Sequence, residues 1–171
     1  YREQVLSLLS ALSNITLVPF TFQLSDDDPD VTVEFALHEH FQARCEVILG
    51  HAAEHAGVCK SKPPGGYTEM ARRPRRVVLN LHRWELGVVH WNDLDKYRQY
   101  LMWHEMLHAL GVSHVGLPPR HRRSCLQRIC PLMFHQTIMP SPLPCTPSAE
   151  MDIASLNSLV QASIVMLDSA A

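Results

Sequence analysis

The spacing of hydrophobic residues predicts both helices and strands in this chain. In residues 4–12 the apolar side chains share one helical face, which is typical of an amphipathic helix. Other segments are rich in β-branched or aromatic residues, or alternate between apolar and polar positions, as strands do. Strands are predicted on this basis at residues 15–22, 31–37 and 76–84, with a further candidate at 45–49.

A longer helix is predicted in the middle of the chain. Asn92 or Asp93 can cap its N-terminus, and Gly111 can end it. One face of this helix would carry apolar residues and two histidines, namely Leu94, Tyr97, Leu101, His104, Leu107 and His108.

Proline, glycine and clustered charge predict the remaining segments. Residues 26–30 and 57–74 are expected to be exposed loops, and 115–147 an irregular segment. A final helix is expected after Ser148, its candidate N-cap. The order of elements predicts an α+β (mixed α/β) fold in a single domain, residues 1–171. Its upper part, 1–111, would hold the sheet and the long helix, and its lower part, 112–171, the irregular segment and the last helix.

Composition narrows the functional classes. The chain has 171 residues, of which 46% are hydrophobic, so it can form a proper core. A net charge of −2 gives no general attraction to nucleic acid, and no apolar run approaches the roughly 18–20 residues that span a bilayer. We therefore expect neither a nucleic-acid partner nor a membrane span. We favour a monomer, although no sequence feature fixes the oligomeric state. The chain begins at Tyr1 rather than Met, as expected of a processed product.

The chain has five cysteines and no CxxC pair. Because five is odd, at least one must stay free, bind a metal or pair with another chain. We expect one disulfide between Cys45 and Cys59, and a second that joins Cys145 to either Cys125 or Cys130. Disulfides need an oxidising compartment, and the sequon at residues 14–16 is compatible with secretion, so we expect a secreted protein.

The decisive motif is HExxHxxGxxH, at residues 104–114. On a helix, His104 and His108 lie one above the other and can bind one metal ion through their imidazole nitrogens. Glu105 lies beside them, where its carboxylate can reach a metal-bound water without being a ligand. Gly111 permits the positive φ with which the chain leaves the helix, so that His114 can return as the third ligand. Three histidines leave a position open for water, which is typical of a single catalytic Zn²⁺.

With this motif the chain resembles the metzincin clan of zinc metallopeptidases, in which a downstream turn carries a methionine beneath the metal. The segments at 76–84, 97–111 and 131–137 resemble a group of uncharacterised, mostly secreted bacterial metzincin-like proteins. The resemblance favours Met133 as the methionine of that turn, with Met139 as the alternative. It also implies a twisted mixed sheet with a backing helix and the zinc helix, and a small irregular lower subdomain that ends in a helix.

The resemblance implies a zinc metalloendopeptidase that hydrolyses peptide bonds in peptide or protein substrates. In this interpretation the chain is one catalytic domain, and Glu105 is the general base that activates the zinc-bound water. Two alternatives remain: a zinc-binding pseudo-protease that docks proteins without cutting them, and another zinc hydrolase such as an amidase. The intact Glu105 argues against the docking module, which has no need of that carboxylate.

Several other polar groups are interpreted as surface features. Residues 51–55 match the inverted motif HxxEH, but no glycine turn and no third histidine at a matching spacing accompany them. His38 and His40 are expected at the end of a strand, and His135 on the surface or in packing. The basic run Arg72–Arg76 is expected to be a solvated loop.

Overall fold

The computed structural model describes residues 1–14, 22–41, 43, 65–70, 73–114, 130, 132–133, 136 and 145–149. The elements with defined ends are, in chain order, α1 (Arg2–Ser13), β1 (Val31–Ala36), β2 (Gly66–Glu69), β3 (Arg75–Asn80), α2 (Leu81–Leu86) and α3 (Leu94–Ala109).

The three strands form one mixed sheet in the order β1–β3–β2. β1 runs parallel to β3, with Val33 opposite Val77. β2 runs antiparallel to β3 on its other side, with Thr68 opposite Val77. The predicted α+β class is therefore confirmed, and β2 forms one edge of the described sheet.

The central strand β3 contributes to two apolar clusters, one on each face of the sheet. Val77 and Leu79 are fully buried in the larger cluster, which contains most of the inward side chains of α3. Val78 is fully buried in a smaller cluster with Phe41 and Tyr67. Successive side chains of a strand point to opposite faces, so a run of consecutive apolar residues fits a strand that is covered on both sides.

The first helix packs on α3 and completes the larger cluster. Val5, Leu9 and Leu12 are its buried residues, as the apolar spacing predicts. Trp103 of α3 donates its indole N–H to the carbonyl of Leu8 at 2.8 Å. Since a buried indole N–H needs an acceptor, this bond fixes how α1 lies against α3.

The segment at 76–84, predicted to be one strand, divides at Asn80 into β3 and α2. The side-chain oxygen of Asn80 accepts the backbone N–H of Arg83, so Asn80 is the N-cap of α2. A cap residue satisfies a backbone amide of the first helical turn, and the chain leaves the sheet there. Trp84, which was predicted to end the strand, lies in α2 and is fully buried.

Part of the loop predicted at 57–74 is strand β2, because these residues find backbone partners on β3. The basic run is also not a solvated loop throughout. Arg75 and Arg76 belong to β3: Arg75 donates to the carbonyl of Ala109, and Arg76 forms an ion pair with Glu34 at 2.5 Å. These partners are distant in sequence, so local composition does not reveal them.

Other expectations are confirmed where the structure describes them. The first helix and the strand at 31–37 agree with α1 and β1 to within two residues, and residues 26–30 are a loop. The strand at 15–22, except Phe22, the strand at 45–49, most of 115–147 and the helix after Ser148 lie outside the described residues. No helix in the described part of the chain has the length and apolarity needed to cross a bilayer.

Cys145 forms a disulfide with Cys130, with an S–S distance of 2.03 Å. Of the two partners left open for Cys145, the structure therefore pairs Cys130. The backbone N–H of Cys130 also donates to the carbonyl of Thr146 at 2.8 Å, so two separate segments are joined here. The expected Cys45–Cys59 disulfide and Cys125 lie outside the described residues.

We predict that Leu12→Ala lowers the free energy of unfolding by about 2–5 kcal/mol, because it leaves a cavity between α1 and α3. Leu12 is fully buried, whereas Leu6 on the same helix is 37% exposed. Leu6→Ala, the matched control, should change stability by no more than about 0.5 kcal/mol. Urea unfolding of both variants measures the difference, and equal effects would contradict this packing.

Candidate metal centre

Helix α3 carries two of the three candidate ligands and is fixed at both ends. The carboxylate of Asp93 accepts the backbone N–H groups of Asp95 and Lys96 at 3.0 and 3.1 Å, which caps the N-terminus. At the other end, the guanidinium of Arg75 donates to the carbonyl of Ala109. A cation at a helix C-terminus interacts favourably with the helix dipole. The helical turn that holds His108 is thus anchored to the sheet.

The chain leaves α3 through a glycine turn. Gly111 has φ of 94°, in the left-handed region that favours glycine. Its N–H donates to the carbonyl of His108 at 2.8 Å, and that of Val112 to the carbonyl of Leu107 at 2.9 Å. These two bonds form a Schellman motif, which satisfies the last carbonyls of a helix and reverses the chain. His114 is thereby brought back toward the helix.

The three histidines of the motif meet at one point. The Nε2 atoms of His104 and His108 are 3.2 Å apart, those of His104 and His114 are 3.2 Å apart, and those of His108 and His114 are 2.9 Å apart. Three nitrogens bound to one tetrahedral ion at 2.0–2.1 Å would be separated by about 3.3 Å. The donor atoms therefore fit a single Zn²⁺ to within a few tenths of an ångström.

The other ring nitrogens decide which atoms can bind a metal. Nδ1 of His104 lies 2.8 Å from the carbonyl oxygen of Leu132, and Nδ1 of His108 lies 2.7 Å from that of Val112. A carbonyl oxygen only accepts hydrogen bonds, so both Nδ1 atoms carry the proton. In a neutral imidazole the lone pair is then on Nε2, the atom that points at the other two rings. Such carbonyl partners orient metal-ligating histidines in general.

The three histidines differ in their exposure to solvent. His104 is buried, His108 is half-buried and His114 is exposed. One side of the cluster is therefore open to solvent. A catalytic zinc site needs an open side, whereas a structural site is closed by four protein ligands.

Glu105 is buried beside β2. The hydroxyl of Thr68 donates to its carboxylate Oε2 at 2.8 Å and to its backbone carbonyl at 2.9 Å. A Cβ atom at Gly66 would lie 2.9 Å from Cγ of Glu105, so glycine is required for β2 to pack this closely. Burial raises the pKa of Glu105 to about 7, and the hydrogen bond from Thr68 acts in the opposite direction. A divalent cation nearby would also lower that pKa.

Leu132 and Met133, which follow the motif in sequence, are buried, with 4% and 2% of their surfaces exposed, and belong to the same apolar cluster as α3. Met133 thus lies in the core next to the residue whose carbonyl orients His104. The alternative, Met139, lies outside the described residues.

The structure brings together His104, His108 and His114, as predicted. It is the only such group of metal-binding side chains within the described ranges. His38 lies apart from it: its Nδ1 is 3.3 Å from the side-chain nitrogen of Asn80, and its ring is 5.5 Å from that of His82. The motif at 51–55 and His135 lie outside the described residues.

Two residues near the site were not predicted. Thr68 was assigned to a loop, and only the pairing of β2 with β3 places it on Glu105. Gln136 is fully buried and contacts both Tyr100 and Ser148. Gln136 lies in the segment 131–137 that carries the family resemblance, but the sequence assigns neither residue a role, because both roles depend on contacts between distant segments.

One comparison with known proteins gives a match. The family model described as "Protein of unknown function (DUF3152)" matches residues 14–147. The chain belongs to the DUF3152 family. The match includes the whole histidine motif, Glu105, Met133 and the Cys130–Cys145 pair. No curated protein and no solved structure matches this DUF3152 chain.

We predict one zinc ion per chain, lost when any one of the three histidines is replaced. Two imidazoles hold an ion that is open to water and chelators far more weakly than three. Elemental analysis after dialysis should find most of the zinc gone from His108→Ala and His114→Ala. His82→Ala, the control, removes an exposed histidine outside the cluster and should retain the zinc. Undiminished zinc in either of the first two variants would show that the ligands are wrongly assigned.

Met133→Leu is predicted to retain zinc and to lower stability by less than about 1.5 kcal/mol, because the substitution conserves volume and polarity in a packed core. Thermal unfolding and metal analysis of the same sample test this. Loss of zinc in a folded Met133→Leu protein would mean that the thioether itself binds the metal.

Proposed function

We propose that this protein is a zinc-dependent metalloendopeptidase of the metzincin type. The observation that carries the proposal is the convergence of three Nε2 atoms within 3.2 Å, on histidines of which two have their Nδ1 protons committed to carbonyl groups. This arrangement suits a catalytic metal ion that has an open coordination position.

In the proposed reaction the chain supplies three ligands and one proton-transfer group. The bound zinc would supply Lewis acidity, which polarises the scissile carbonyl and makes water more acidic. Glu105 accepts the proton of the attacking water and returns it to the departing amine. Since Oε2 is engaged by Thr68, we assign the proton transfer to Oε1.

We infer that the substrate is an extended peptide that binds along β2. β2 is an edge of the described sheet and lies against α3 at Glu105. An edge strand offers backbone donors and acceptors to a peptide that adds as a further strand. This arrangement would bring the scissile bond next to the proton-transfer group without requiring particular substrate side chains.

We also propose that the protein is secreted. The Cys130–Cys145 disulfide supports an oxidising compartment. Cys130 and Cys145 are both buried, and Cys130 lies two residues before Leu132. Formation of the disulfide would therefore help to hold Leu132 and Met133 in position.

Glu105→Gln is predicted to fold and to retain zinc. It should cleave peptides about 10²–10⁴-fold more slowly than wild type, which is the usual effect of losing a general acid–base group. The amide conserves the shape of the side chain beside Gly66. The control is Glu69→Gln, the same substitution at a residue of β2 whose carboxylate faces Arg76 and not the histidines. Digestion of a diverse peptide library, read by mass spectrometry, compares both variants with wild type. Full activity in Glu105→Gln would refute the assigned base, and zinc-loaded wild type that cuts nothing would indicate a docking module.

A further inference from the structure

Gln136 joins separate segments of the chain at a fully buried position. Its side-chain nitrogen donates to the carbonyl of Ser148 at 3.0 Å, and its side-chain oxygen accepts the N–H of Ser148 at 2.8 Å. Its backbone N–H donates to the hydroxyl of Tyr100 at 3.1 Å, and its carbonyl accepts from Nε2 of His90. Four polar groups of one residue are thus paired away from water, as buried polar groups must be.

The position of Gln136 relative to the metal centre follows from α3. Tyr100 and His104 are one helical turn apart on that helix, with ring centroids 5.2 Å apart. Gln136 binds the hydroxyl of Tyr100, while Leu132, four residues earlier, accepts the Nδ1 proton of His104. Leu132 and Gln136 are therefore attached to α3 at two points, one turn apart.

We propose that Gln136 is a positioning residue of the metal centre: it fixes the segment whose Leu132 carbonyl orients the His104 imidazole. The inference rests on the proposed zinc site, and it does not require that the protein cleaves peptides. The disulfide holds the other end of the segment, at Cys130. Leu132 lies between these two attachments, so its carbonyl direction depends on both.

The hydrogen-bonding groups of the side chain explain why residue 136 is a glutamine. A side-chain amide presents a hydrogen-bond donor and an acceptor side by side without a change of protonation, and the backbone of Ser148 needs both. Methionine fills a similar volume but pairs with neither group of Ser148. Gln136→Met thus removes the attachment to 145–149 and keeps the backbone bonds of residue 136.

The test compares His104 with His108 in the same protein. The Nδ1 protons of both rings bond to carbonyl groups, but that of His108 bonds to Val112, which Gln136 does not hold. Their signals in ¹⁵N-histidine NMR spectra of metal-free and zinc-loaded protein report each bond separately. Zinc affinity is measured by competition with a chelating dye.

In Gln136→Met we expect the His104 Nδ1–H signal to shift or exchange faster while the His108 signal stays. Zinc affinity should fall about 10-fold, the lower end of the range for loss of an outer partner of a metal-ligating histidine. Tyr100→Phe, which removes only the hydroxyl that Gln136 binds, should show the same selective effect and decides the question if Gln136→Met does not fold. The matched control is Tyr97→Phe, since the buried Tyr97 hydroxyl has no hydrogen-bond partner among the described residues.

Unchanged His104 signals and wild-type zinc affinity in both variants would overturn the proposal. Equal changes at His104 and His108 would also overturn it, because Gln136 would then support the fold in general and not His104. Failure of the proposed peptidase activity is seen separately, as zinc-loaded wild type that leaves peptides intact. That result would leave the NMR and affinity comparison valid.

Discussion

The constraint on which the site depends is the approach of three imidazole Nε2 atoms to within 3.2 Å of one another. Two of these rings carry their proton on Nδ1, so their lone pairs are directed toward each other. Like partial charges at this distance repel unless a cation or a shared proton lies between them. The protein maintains the arrangement with backbone carbonyls at Leu132 and Val112, and the proposed zinc ion would supply the missing positive charge.

The three candidate ligands are held in position by different parts of the structure. His104 and His108 stand on a helix that is capped at Asp93, covered by α1 and attached to β3. His114 depends on the turn at Gly111, and the orientation of His104 depends on a segment after the helix. Metal binding would therefore stabilise the position of His114 most, because ligands bound only by the folded state favour the parts that complete the site. The helix would hold the backbones of His104 and His108 in place without the metal.

The sequence predicted the cluster of candidate ligands better than the residues that hold those ligands in position. A helical motif with fixed spacing places His104, Glu105 and His108 through local geometry alone, and the glycine turn adds His114. Thr68 and Gln136 are defined by contacts with residues 37 and 12 positions away in sequence. Periodicity carries no information about such contacts. The same reason explains why β2 was predicted to be a loop: a four-residue strand exists here because β3 lies beside it.

The strand β2 has two roles that do not interfere in the proposed reaction. Gly66 and Thr68 face α3, where one permits close packing and the other binds Glu105. Tyr67 and Glu69 face the opposite side, because strand side chains alternate. A peptide that adds to the edge would use the backbone groups of β2, which lie in the plane of the sheet and perpendicular to both sets of side chains. Substrate binding can therefore proceed without disturbing the hydrogen bond between Thr68 and Glu105, so the proton-accepting group keeps its position whichever peptide is bound.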